Sequence, residues 1–208
     1  MLHTQLRSGL VHVGLALREP EEFTRRWHGG EMPYSWWVFL ALALTAVLGT
    51  STYGLTMGIL GGPGTILLDA VRCTVAAGLA WGIALPSLYI FNSLSGSRLK
   101  ASTTLLATLV TVSWGGLAMI ASIPINWFFT VAFHDLVADR TRVTWLVRGV
   151  NLVVFTGVGI SMIDIFGRVI EVLEPKRGRW PVLWLAVVSA IGGELFYAFG
   201  LFQFAMQT

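Results

Sequence analysis

Apolar residues run along this chain in long blocks, not in the short alternations of strands or the one-sided stripes of soluble helices. From Trp36 to Leu60 there are 25 residues without a charge, and from Ala101 to Phe133 there are 33. A membrane-crossing helix needs about 20 predominantly apolar residues, so each block predicts at least one. The second block exceeds one untilted crossing, and Pro124 is expected to divide it into a full span and an outer segment, Ile125 to Phe133. Three further stretches complete the pattern. One runs from near Asp69 to about Leu94 and is expected to break at Pro86. The next, from about Thr144 to Val169, carries Arg148 near one end and Asp164 near the other. The last runs from Pro181 to about Met206 and is interrupted only by Glu194. The expected fold is all-α: an integral membrane bundle of five transmembrane helices over 36–60, 69–94, 102–123, 144–169 and 181–206, within a domain of residues 36–206.

Residues 1–35 break this pattern. They hold eight charged residues and no apolar run long enough to cross a bilayer. Leu2, Leu6, Leu10, Val13 and Leu17 recur at spacings of three and four, the period of one helix face. Pro20 opens a second short helix with Glu21 and Glu22 in its first turn, Arg25 and Arg26 in its last, and Gly29 and Gly30 as the stop, the order the helix dipole favours. Phe23 and Trp27 share one side of it. This segment is expected to be an amphipathic interfacial arm, with Leu6, Leu10, Phe23 and Trp27 holding it to the cytoplasmic leaflet or to a partner. A cleaved signal peptide is not expected, because His12 interrupts its hydrophobic centre and Arg18, Glu19 and Pro20 stand where small residues belong.

Composition agrees with a membrane protein. Of 208 residues, 55% are hydrophobic and only 12% charged, about half the charged fraction of a soluble domain, and the mean hydropathy is +0.71. The net charge of +3 does not indicate nucleic acid, because the basic residues are scattered over loops. They act instead as orientation signals. Ten Lys and Arg fall in the arm, the turn after the second span and the loop before the fifth, against two, Arg140 and Arg142, on the other side. The amino terminus is expected in the cytoplasm and the carboxyl terminus outside.

Five polar residues from four helices are placed by this threading in the outer half of the bilayer: Arg72, Asn126, Arg148, Asn151 and Glu194. Glu194 lies 14 residues beyond Trp180, roughly 21 Å up a helix and past the middle of a core about 30 Å thick. A lone carboxylate there is costly. Arg148, which shares a helix face with Asn151, is its favoured partner, with Arg72 as the alternative. The cluster reads either as a packing ion pair or as a ligand or proton site. Gly54 and Gly58 form a GxxxG, a pattern that permits close helix contact.

Catalytic patterns are absent. The histidines, His3, His12, His28 and His134, lie in the arm or the outer loop, where no pair on facing spans can hold a metal or haem. The single cysteine, Cys73, excludes an internal disulfide. No nucleophile elbow, zinc-protease, P-loop or dinucleotide motif occurs, and Ser161 has no histidine or lysine at its depth to serve as base. Neither an enzyme nor a cofactor is expected.

Three stretches, Thr52 to Gly58 (TYGLTMG), Leu85 to Leu99 (LPSLYIFNSLSGSRL) and Pro124 to Phe129 (PINWFF), resemble uncharacterised bacterial multi-pass membrane proteins allied to the Yip family, whose eukaryotic members bind Rab GTPases. The resemblance implies five spans, a cytoplasmic amino terminus and the bacterial inner membrane, and it carries over no catalytic residue. The Rab partner does not carry over, since the short basic arm differs from the longer eukaryotic cytoplasmic region. The expected function is a non-enzymatic integral membrane subunit or scaffold of a larger complex, with the bilayer and other membrane subunits or further copies of the chain as partners. The alternative is a small transporter or channel component with a polar intramembrane site, although five spans without an inverted repeat make a poor stand-alone carrier.

The charge asymmetry yields a direct test. A reporter fused after Thr208 should be active outside the cytoplasm and one inserted between Pro175 and Arg179 inside it; activity of both on one side removes the five-span threading.

Overall fold

The structure is a computed structural model that describes residues 11–32, 36–94, 96–136, 140–175 and 181–201. Regular structure among them is helical throughout: α1 over 11–18, α2 (Pro20–His28), α3 (Trp36–Met57), a 3-10 turn at Ile59–Gly61, α4 (Pro63–Leu94), α5 (Ala101–Ala121), α6 (Ile123–Leu136), α7 (Arg140–Leu173) and α8 (Pro181–Ala198). Four stretches are long and apolar enough to cross a membrane: Trp36–Met57, Pro63–Ile90, Ala101–Ala132 and Trp145–Leu173. The protein is therefore a membrane-embedded helical bundle. Where five such spans are expected, the described part of α8 supplies only a shorter apolar helix, Ala186–Ala198.

Local chemistry sets the helix ends. Gly62, at a φ of 88°, makes the reversal between α3 and α4, and Pro63 follows as the first residue of α4, where its missing N–H costs nothing. The second long helix thus starts six residues before the expected Asp69. It also runs unbroken through Pro86, contrary to the expected break. An exposed proline removes one rung of a ladder of 32 residues, and membrane helices tolerate that loss. The division at Pro124 does occur: α5 ends at Ala121 and α6 begins at Ile123, with Ser122 alone between them.

Packing joins α3, α4, α8, α7 and α5 into a closed ring, each helix touching the next, with α6 laid over α7 and α3. The long helices are largely apolar all round, and on α4 the positions turned inward are small. On α4 the buried residues include Ala70, Cys73, Ala76, Ala80 and Ala84, while Leu67, Val71, Val75, Leu79 and Ile83 form an exposed stripe at four-residue spacing. Such an arrangement is unstable in water and natural in lipid, where close backbone approach drives association. Gly49 of α3 lies directly on the backbone of Gly116 of α5. One turn further, a Cβ added to Gly54 would stand 2.7 Å from Ala70 Cα, and one added to Gly58 would stand 2.6 Å from Ile66 Cα. The GxxxG is thus the seam between α3 and α4. Hydroxyls supplement these contacts: Ser113 donates to the Leu42 carbonyl at 2.6 Å, and Thr74 donates to Ser51 at 3.2 Å.

The arm folds back on the protein. Val13, Ala16 and Phe23 are buried with Leu42, Leu106, Phe166, Val169 and Ile170, and Trp27 packs partly buried beside them. The apolar face expected on the lipid leaflet is thus largely occupied by α5 and α7 in its described part; Leu6 and Leu10 lie outside the described residues. Arg168 fastens the arm by bridging Glu21 at 2.7 Å and Asp164 at 3.2 Å. Within α2, Glu22 accepts from Arg26 at 2.7 Å and from Arg25, and the Arg26 hydrogen bond foremost holds its carboxyl below the usual range.

The glycine seams predict that Gly49→Ala destabilises the protein by about 1–3 kcal/mol through overpacking, outweighing the propensity gain of about 1 kcal/mol. Gly78→Ala, on an open face of α4, should leave the melting temperature in detergent unchanged or raised. Equal behaviour of the two variants contradicts the backbone contact.

Candidate functional site

Tyr53 and Thr56 point from α3 into the end of the bundle opposite the arm. A phenol inside an apolar helix needs a hydrogen-bond partner, and Tyr53 finds one across the ring: its hydroxyl donates to Asn151 Oδ1 of α7 at 2.7 Å. Three residues on, Thr56 Oγ1 accepts from Asn126 Nδ2 of α6 at 2.8 Å, and Asn126 Oδ1 accepts from Thr130 at 3.4 Å. Tyr53, Asn126 and Asn151 are all essentially buried. Two of the five expected polar residues, Asn126 and Asn151, are therefore brought close together, each tied to the same face of α3.

The ring of Tyr53 continues into an aromatic row. It meets Phe155 of α7 edge-on at 5.5 Å, and Phe155 packs against Phe196 of α8 at 4.6 Å. This row runs across the bundle from α3 through α7 to α8.

Above the Tyr53 and Asn151 pair lies a cavity of about 320 Å³, lined by Met57, Gly61, Asp69, Val147, Arg148, Asn151, Gly200 and Leu201. Arg148 and Asn151, one helical turn apart, both reach it, as their spacing predicts. Asp69 supplies a carboxylate from α4. Its ion-pair partner is Arg72, three residues along the same helix, at 3.4 Å. Arg72 itself does not line the cavity.

Glu194 does not join this group. The buried stripe of α8 is Val188, Gly192 and Phe196, and Glu194 lies on the exposed side with Ala190, Gly193 and Tyr197. Among the described residues no ion pair links it to Arg148 or Arg72. The expected pairing fails because depth along a helix was legible and rotation about it was not. α8 turns Val188, Gly192 and Phe196, not its carboxylate, toward its neighbours in the ring. Sequence reasoning also missed Tyr53, Thr56 and Asp69. A tyrosine three residues before a threonine in an otherwise apolar span was the available signal, since both carry hydroxyls that need partners.

No group of three or more metal-ligating side chains occurs among the described residues. Two further clefts are largely apolar: one of about 760 Å³ between α5, α6 and α7, and one of about 300 Å³ bounded chiefly by α4, α7 and α8.

Removing either side of the Tyr53 and Asn151 bond leaves a buried polar atom unsatisfied. Tyr53→Phe and Asn151→Leu should each lower stability, and their double-mutant cycle should show a coupling of about 0.6–1.7 kcal/mol. The same cycle on Arg148→Gln and Glu194→Gln should show none; coupling there restores the ion pair that the geometry removes. The chain has no significant match to a protein-family model, a curated protein or a solved structure.

Proposed function

We propose that this protein is a non-enzymatic membrane scaffold or subunit that assembles laterally through α8. The observation that carries the reading is the exposed face of α8, where Glu194 stands among Ala186, Ala190 and Gly193. A carboxylate facing hydrocarbon costs on the order of 3 kcal/mol. Small residues on either side let another helix approach closely enough to supply a basic or hydrogen-bonding side chain to it. On this reading α8 is the fifth crossing, the arm lies at the cytoplasmic surface and the chain resides in the bacterial inner membrane, as the loop charges and the likeness to Yip-allied proteins suggest. A second reading, a small transporter or channel component, draws on the cavity that Arg148 and Asn151 line. The Tyr53, Phe155 and Phe196 row across the ring weighs against it, because a conduction path has to displace three packed aromatics.

The test is assembly size. Extracted gently from its native membrane, the protein should run as a particle larger than one 22.7 kDa chain in its micelle, and Glu194→Leu should release the monomer. Leu79→Ala, on the lipid-facing stripe of α4, should leave the particle intact. A wild-type monomer, or an assembly indifferent to Glu194→Leu, overturns the proposal.

A further inference from the structure

Opposite charges that share a small cavity normally collapse onto one another. Asp69 and Arg148 line the same 320 Å³ space, yet no ion pair joins them; Asp69 leans instead on Arg72, at a long 3.4 Å, and the cavity stays open between the two charges. Asn151 adds a second observation. It is 2% exposed, its Oδ1 is taken by the Tyr53 hydroxyl, and its amide nitrogen, engaged by no described side chain, is left to the cavity that it lines. The cavity thus presents, from α7, a guanidinium and an amide N–H and, from α4, a carboxylate. The two loop ends, Gly61 and Gly200, bring backbone without side-chain bulk to its rim.

An anion alone meets Asp69 in this space, and a cation alone meets Arg148. A ligand carrying both charges a few atoms apart satisfies every group. We propose that the cavity is a binding site for a zwitterion in which a phosphate lies two carbons from a primary ammonium, the phosphoethanolamine group. Arg148 and the Asn151 amide receive the phosphate, because a planar guanidinium offers paired N–H donors to phosphate oxygens. Asp69 receives the ammonium, which has N–H groups to donate. The same group reaches the protein either as the headgroup of a membrane lipid or as the free compound, and the cavity is large enough for it. This site stands on α3, α4 and α7 with the end of α8, so it is independent of the assembly face around Glu194.

The experiment uses the full-length protein. Released in native mass spectrometry from micelles containing equal phosphatidylethanolamine, phosphatidylglycerol and phosphatidylcholine, it should retain phosphatidylethanolamine preferentially if the source is lipid. In detergent without lipid, free O-phosphoethanolamine should raise its melting temperature if the source is soluble. Either result supports the site, provided that Arg148→Gln and Asp69→Asn each weaken the effect by about tenfold or more, as expected for loss of one charge-assisted contact. The wild-type protein alone also decides the matter, without a variant that has to fold: phosphocholine, whose quaternary ammonium has no N–H to give Asp69, and inorganic phosphate, which has no ammonium, should both bind at least about tenfold more weakly than O-phosphoethanolamine. Equal binding of phosphate and O-phosphoethanolamine overturns the proposal, as does indifferent retention of the three lipids together with no response to the free compound.

Discussion

Gly49 and Gly116 place the backbones of α3 and α5 in direct contact, and Gly54 and Gly58 do the same for α3 and α4. The rest of the structure follows from this double approach. In lipid no hydrophobic drive holds helices together, so attraction has to come from dispersion between closely packed surfaces and from interhelical hydrogen bonds. Only where side chains are absent or short do backbones come near enough for both. Held between α4 and α5, α3 has little freedom to rotate, and Tyr53 and Thr56 are thereby aimed at α7 and α6. Their bonds to Asn151 and Asn126 are a consequence of the glycine seams, not an alternative to them.

The same logic explains which features were legible beforehand. Uncharged blocks translate into helices because every backbone group in a bilayer needs an internal partner, so the long helices and the division at Pro124 could be read from residue order. The GxxxG was visible too, although nothing in the chain says which neighbour a glycine face will meet. Rotation was the hidden variable. Asn126 and Asn151 were expected in one cluster and are close, because α3 offers both a hydroxyl partner. Glu194 was expected there and is absent, because the stripe of α8 that fits against α4 is the one with Val188, Gly192 and Phe196. Apolar helices have little hydrophobic asymmetry to announce their inward side. On α4 side-chain size carries that information, with the alanines turned inward, and a pattern read by polarity overlooks it.

The arm illustrates the opposite case. Its stripe was legible by polarity, and its described part does bury that stripe, but against α5 and α7 in place of lipid. Length explains the difference. α7 has 34 residues, about 51 Å of helix, well beyond a hydrocarbon core of about 30 Å. Not all of it fits within one untilted crossing, and apolar side chains of its last turns, Phe166, Val169, Ile170 and Leu173, are covered by protein: Val13, Ala16 and Phe23 pack with them, and Arg168 bonds the arm from the same stretch of α7.

The two ends of the bundle are therefore built on different principles. At the arm end the groups are paired off: Arg168 with Glu21 and Asp164, and Glu174 with Ser97 and the Arg98 N–H. At the other end the Asn151 amide is anchored through its oxygen only, and Asp69 and Arg148 line one cavity without pairing. α4 and α7, which carry the two charges, are each positioned by packing on α3 and α5, α4 at the glycine seam with α3 and α7 through the Tyr53 bond. Separated charges within a rigid apolar frame keep their capacity to bind, because little reorganisation is needed when a complementary group arrives.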